Sequence, residues 1–137
     1  MLLEGGVKMN LEKLLEDAKK ARNYSYSPYS KFPVGAAVLT KDGTVYTGCN
    51  VENAAYGITM CAEKVAIAKA VSEGNQYIAV IAIVGDTEGP CRPCGSCRQF
   101  ILEFGDEITV VMGNLKGETE TKSINDLIPF SFSKKDL

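Results

Sequence analysis

The 137-residue sequence contains no histidine. That absence excludes serine–histidine triads, zinc sites built from imidazole alone and imidazole acid–base catalysis. Long apolar runs are missing too. The longest, residues 77–85, falls far short of the roughly 20 residues a membrane-spanning helix needs. Residues 1–8 lack the layout of a signal peptide, so the expected compartment is the cytoplasm. There is no excess of basic charge either. A net charge of -2 argues against nucleic acid or an anionic membrane as a partner.

What remains has the balance of a globular protein, with 45% hydrophobic and 23% charged residues, enough to fill one core. A second methionine, Met9, stands just before a good helix start. The expected organisation is therefore a tail over 1–8 and a single domain over 9–137.

Leu11, Leu14, Leu15, Ala18 and Ala21 recur at the spacing of an amphipathic helix, with Asn10 placed to cap it. Residues 24–33, rich in serine, tyrosine and proline, read as a loop. Residues 34–40 are apolar on both faces and predict a central strand. The Lys41-Asp42-Gly43 turn returns the chain as a second strand over 45–51. Helices are expected over 62–71, closed by Gly74, and over 94–104, ended by Gly105. Strands are expected over 77–84 and 108–112, a weaker edge strand over 118–123, and a short helix over 124–127. The alternation predicts an α/β fold with one sheet covered by helices on both faces and an antiparallel hairpin near its start.

Five cysteines stand at 49, 61, 91, 94 and 97. In a reducing compartment they read as metal ligands or reactive thiols rather than disulfides. Cys94 and Cys97 follow Pro93, a residue suited to the first turn of a helix, and residues three apart share a helix face. Cys61 falls at the start of the preceding helix, behind Thr59 as a possible cap. Helix starts favour thiolates. Three thiolates from two helix starts would hold one Zn²⁺ and leave its fourth position open to water. Glu63, two residues after Cys61, suits a carboxylate that moves protons beside the metal without binding it. Cys-x-x-Cys alone is also compatible with a thiol redox pair or half of a structural zinc site. Cys91-Arg92-Pro93-Cys94 offers a second register, in which Cys91 would be a fourth thiolate of a closed, non-catalytic site. Cys49, in mid-strand, reads as a packed thiol.

Cys61-Ala62-Glu63 together with Pro93-Cys94-Gly95-Ser96-Cys97 matches the three-cysteine variant of a signature known for zinc deaminases. Two further segments are more specific. They are Tyr-Ser-Pro-Tyr-Ser-Lys-Phe-Pro-Val-Gly-Ala-Ala (26–37) and Gly-Cys-Asn-Val-Glu-Asn-Ala-Ala-Tyr (48–56). With them the chain, from about residue 11 to its end, resembles the small, homotetrameric, three-thiolate cytidine deaminases.

That resemblance implies a three-layer α-β-α sandwich around one mixed five-stranded sheet, with one Zn²⁺ per subunit. It implies a hydrolase of the C–N bond of a cyclic amidine, turning cytidine and deoxycytidine into uridine and deoxyuridine in pyrimidine salvage. Glu63 would be the catalytic proton carrier and Cys61, Cys94 and Cys97 the metal ligands. Phe32 would stack on the pyrimidine. Asn50 and Glu52 would bind the ribose, chiefly its 3′ hydroxyl, and the backbone around Ala62 would read the base edge. Tyr56 and Phe132 resemble residues that reach into a neighbouring subunit's site. A carboxylate near the ribose would repel phosphate and favour a nucleoside. Arg98 matches the family, whereas Lys64 stands where three-thiolate relatives often place an arginine that offsets the thiolate charge. An alternative on the same scaffold is deamination of an aminopyrimidine antibiotic such as blasticidin S.

Overall fold

The computed structural model describes residues 10–137; the expected tail over 1–8 lies outside them. Helix α1 (Leu11–Arg22) starts where Asn10 accepts a hydrogen bond from the Lys13 N–H at 3.1 Å. Its buried residues Leu14, Ala18 and Ala21 fall on one stripe. That stripe lies against a five-stranded sheet, because Gly35 leaves no side chain between them: a Cβ there would stand 1.9 Å from the Ala18 carbonyl oxygen.

The strands are β1 (Val34–Thr40), β2 (Val45–Cys49), β3 (Ile78–Gly85), β4 (Thr109–Asn114) and β5 (Thr119–Ser123). Their order across the sheet is β2-β1-β3-β4-β5. Only β3 and β4 run parallel; every other neighbouring pair is antiparallel. The parallel step is bridged by helix α3 (Gly95–Leu102). Helix α2 (Ala62–Ser72) lies on the same face, and a single helical turn, α4 (Ile124–Leu127), follows β5. The period-two alternation of the strands divides the core. Ala37, Leu39, Val80, Ala82, Val84 and Val111 face α1. Ala36, Val38, Ile81, Ile83, Val110 and Met112 face α2 and α3. This is the expected α-β-α sandwich on a mixed five-stranded sheet.

The register gathers three chain ends at one edge. Val34, which opens β1, pairs with Gly85, which closes β3; Gly35 pairs with Cys49, which closes β2. The segments 24–33, 50–60 and 86–94 therefore all emerge at the same end of the sheet, where α2 and α3 begin. Some boundaries differ from expectation. The second strand stops at Cys49 because β1 offers no partner beyond Val34, and Val51 pairs instead with Tyr26 and Met60 in isolated bridges. The third helix starts at Gly95, so Pro93 precedes its cap instead of occupying its first turn. Single 3₁₀ turns at Tyr56–Ile58 and Lys134–Asp136 carried no periodic signal. Among the described residues no helix is long and apolar enough to cross a membrane.

Candidate active site

Cys61 and Cys94 occupy the N-cap positions of α2 and α3, with ψ angles of 154° and 168°. The extended geometry is the usual one for an N-cap, yet neither sulfur makes a capping hydrogen bond. Thr59 is not the cap expected for α2; its hydroxyl accepts from the Asn53 N–H at 3.1 Å. Cys97 is the third residue of α3 and projects toward the same point as its cap. The three sulfurs lie within 4.8 Å of one another. Bonds of about 2.3 Å to one tetrahedral zinc set sulfurs about 3.8 Å apart, so the cluster needs shifts of about an ångström at most. Cys97 is buried, Cys61 half-buried and Cys94 exposed, which leaves the outer side of the cluster open to solvent. Three soft thiolate donors with one open side fit a zinc ion that retains a free position.

The cluster is polarised. A hydrogen bond from the Cys97 thiol lowers the Cys61 pKa to about 6, with Cys94 and the Lys64 charge helping. Cys97, donor in that pair and buried, is pushed upward. Glu63 is only 4% exposed. Burial raises its carboxyl above the usual glutamate value, and the charge of Cys61 adds to the effect. A carboxyl so placed exchanges protons nearer to neutrality than an exposed one.

The remaining thiols stand apart. Among the described residues, the convergent cluster of possible metal ligands contains Cys61, Cys94 and Cys97 but not Cys91. The closed four-thiolate alternative is therefore not formed. Cys91 is buried instead: its N–H donates to the Gly113 carbonyl at 3.1 Å, and burial, then the Glu63 charge, pushes its thiol to about 11. Cys49, at the end of β2, is half-buried with its thiol pushed up by burial.

Phe32 and Cys91 converge on Gly85, where an added Cβ would meet the Cys91 sulfur at 2.8 Å and the Phe32 ring at 3.2 Å. The aromatic ring thus approaches the neighbourhood of Glu63 through Cys91. Asn50 is buried and largely committed. Its Oδ1 accepts from Val34 N–H at 2.9 Å and from the Ser25 hydroxyl, and its Nδ2 donates to the Phe32 carbonyl at 3.0 Å. One amide proton is left over. Glu52 accepts from the N–H groups of Tyr29 and Ser30 at 3.0 and 3.1 Å and from the Ser30 hydroxyl. The Ser30 bond is the main reason its carboxyl lies below the usual glutamate value. Asn50 and Glu52 lie past the end of β2, tied to the loop before β1.

Glu52, Ser30, Tyr29, Tyr56 and Thr59 line a depression of about 340 Å³. Tyr56 stacks obliquely on Tyr29, centroids 5.8 Å apart, and is 73% exposed. Phe132 is 63% exposed, and its carbonyl accepts from Gln99 Nε2 at 2.8 Å. Ala62 is buried at the first turn of α2. The fold thus brings Cys61, Cys94, Cys97 and Glu63 together, and links Phe32, Asn50 and Glu52 through one loop. It leaves Tyr56 and Phe132 pointing outward on this chain.

Lys64 and Arg98 were named in the sequence without their bonding partners, and Asn114 went unread. Lys64 Nζ donates to the Ser96 hydroxyl at 2.7 Å and lies 6.0 Å above the Phe100 ring, joining the first turns of α2 and α3. Arg98 is directed at backbone carbonyls, those of Pro93 at 2.9 Å and Leu127 at 2.8 Å. Asn114 is buried; its side chain holds the carbonyls of Thr87 and Gly89 and the N–H groups of Lys116 and Glu118, fixing the approach to the cysteine segment. Only the turn-forming habit of asparagine hinted at this.

A family model described as the cytidine and deoxycytidylate deaminase zinc-binding region matches residues 8–113. A cytidine deaminase of Sporosarcina psychrophila is 54% identical over 130 residues, covering 94% of this chain and 96% of the relative. A cytidine deaminase of Halalkalibacterium halodurans is 45% identical over 130 residues, covering 94% and 98%. The crystal structure of cytidine deaminase from Burkholderia pseudomallei superposes with a TM-score of 0.88 at 47% identity, covering 90% of this chain and all of that one. With the sulfur cluster already in place at two helix starts, these likenesses establish that the chain belongs to the cytidine deaminase family of zinc-dependent hydrolases.

Proposed function

We propose that the protein deaminates cytidine and deoxycytidine to uridine and deoxyuridine by hydrolysis. The observation that carries this reading is the buried Glu63 beside three sulfurs that converge at the mouths of α2 and α3. Cys61, Cys94 and Cys97 would hold the zinc. When bound, the ion supplies Lewis-acid activation, making water nucleophilic near pH 7. Glu63 accepts the proton released as water adds to C4 and delivers it to N3. It then takes the proton of the hydroxyl added at C4 and passes it to the amino group, so that ammonia leaves as the C4 carbonyl forms. Burial supports this assignment, because a carboxyl with a raised pKa returns a proton more readily than an ordinary one.

Phe32 stacks on the pyrimidine. The leftover amide proton of Asn50 and the remaining lone pairs of Glu52 suit a hydroxyl, which accepts one hydrogen bond and donates another. That pairing supports a role at the ribose 3′ hydroxyl. The N–H groups at the start of α2, around Ala62, face the base edge. The Glu52 carboxylate disfavours a phosphate, so the substrate is a free nucleoside. The exposure of Tyr56 and Phe132 supports a homotetramer in which each reaches a neighbouring subunit's site. Five unpaired cysteines suit a reducing, cytoplasmic setting, and the reaction itself suits pyrimidine salvage.

The test is Glu63→Ala, assayed for cytidine turnover and metal content on one sample. Zinc should stay bound while turnover falls by about 10²–10⁴. Near-normal turnover would remove Glu63 from the reaction. Faster turnover of blasticidin S than of cytidine by the unmodified protein would transfer the site to the antibiotic.

A further inference from the structure

Segment 24–33 has almost no regular structure, yet one of its hydroxyls joins two elements of the site. The Ser30 hydroxyl donates to Glu52 Oε2 and accepts from the Phe32 N–H at 3.0 Å. The Ser30 N–H adds a bond to Glu52 Oε1 at 3.1 Å. Between Ser30 and Phe32, Lys31 adopts a φ of 58°, in the left-handed region that side-chain-bearing residues seldom enter. Its own N–H is held by the Ser27 carbonyl at 3.0 Å. This local reversal brings the Phe32 N–H back to a hydroxyl two residues earlier. The Phe32 carbonyl is meanwhile held by Asn50 Nδ2 at 3.0 Å. A hydroxyl has one proton and two lone pairs. Here the proton goes to the carboxylate and one lone pair to the backbone that carries the ring. Neither group can shift without breaking a bond at the same oxygen.

We propose that Ser30 is a positioning residue that couples recognition of the sugar hydroxyl by Glu52 to stacking of the base on Phe32. This rests on the cytidine reading above. Ser30 acts by fixing the direction of a carboxylate and the location of a ring. Removing its hydroxyl frees both together, so the sugar and the base are no longer read as one rigid unit.

The experiment compares wild type, Ser30→Ala and Ser30→Thr with cytidine and with 3′-deoxycytidine, measuring kcat, KM and zinc content. In Ser30→Ala the KM for cytidine should rise about tenfold while kcat stays within about threefold and zinc is unchanged. The wild-type preference for cytidine over 3′-deoxycytidine should shrink toward unity, because the protein hydroxyl and the substrate hydroxyl act through the same carboxylate. Ser30→Thr, which keeps the hydroxyl, should restore both values. Lys31→Val, whose branched side chain resists the left-handed backbone, should reproduce the alanine result, whereas Lys31→Gly should match wild type. Equal losses on the two substrates in Ser30→Ala would overturn the coupling while leaving the deaminase reading intact. A wild type inactive on cytidine would overturn that reading, and the coupling with it.

Discussion

Helices α1 and α4 begin differently from α2 and α3. Asn10 and Ser123 cap the first pair, accepting from the N–H groups of Lys13 at 3.1 Å and Asn125 at 3.4 Å. Cys61 and Cys94 hold the equivalent positions in the second pair and cap nothing. A polar cap is worth about 1 kcal/mol, so the two helices together forgo about 2 kcal/mol. In return, the uncapped N–H groups leave partial positive charge beside the sulfurs, which favours thiolates. The local rule for starting a helix is broken where the metal binds and obeyed where the helix only has to pack.

The most forceful way to break this contrast is Cys94→Ser. Serine is a good cap and a poor zinc ligand. Metal content should drop from one ion per chain to none, and turnover with it. In chelator, the variant should be more stable than metal-free wild type by about 0.5–2 kcal/mol in urea melts. Stoichiometric zinc in this variant would contradict the site.

The next effect comes from the glycines under the two kinds of helix. Gly35→Ala drives a Cβ into the backbone of α1 and should cost about 3 kcal/mol, with zinc affinity unchanged in the folded fraction. Gly48→Ala presses on α2 instead, with its Cβ 2.6 Å from Ala66 N and 2.9 Å from the Ala62 carbonyl oxygen. It should weaken zinc binding as well as stability, since Ala62 adjoins Cys61. Chelator competition alongside denaturation separates the two; equal zinc affinity in both variants would show that α2 gives way without moving its cap.

Asn10→Ala is a milder change, expected to cost about 1 kcal/mol with no change in turnover. A larger loss of activity than of stability would mean that α1 reaches the site. The smallest effect lies at the β1–β2 turn. There Asp42 accepts from the Thr40 hydroxyl at 2.6 Å and the Thr44 N–H at 3.1 Å. The Thr40 bond is the chief cause of its pKa falling from 3.8 to about 2. A lowered carboxylate stabilises the fold above its unfolded value and stops doing so as pH falls through its folded one. Asp42→Asn should therefore lower stability slightly at neutral pH, where the charged form contributes in full, and flatten the profile between 3.8 and about 2, so that the difference from wild type vanishes at the acid end. An unaltered acid limb would mean that the turn keeps similar bonds when unfolded.

The elements were readable because their signals are local. The stripe of Leu14, Ala18 and Ala21, the cap at Asn10 and the apolar strands each depend on neighbours within a turn or a pleat. The pairing of Cys61 with Cys94 and Cys97 was readable because each sits at a recognisable helix start. The choice against Cys91 was readable as well, because Pro93 sets it ahead of the helix; the packed chain adds where its sulfur goes, beside Gly85 and Phe32. Thr59 was misread as a cap because its real partner, Asn53, belongs to a turn with no periodic pattern.

Residue order alone thus settled the helices, the strands and the kinds of donor available for a metal, since periodicity, capping and thiol chemistry act over a few positions. How Ser30 meets Glu52 across 22 residues, and how Asn50 secures Val34 across 16, was set by the folded sheet. Those bonds exist because the register pairing Gly35 with Cys49 lays the ends of distant segments side by side. A hydrogen bond needs its partners within about 3 Å, a condition that short-range pattern does not encode and packing does.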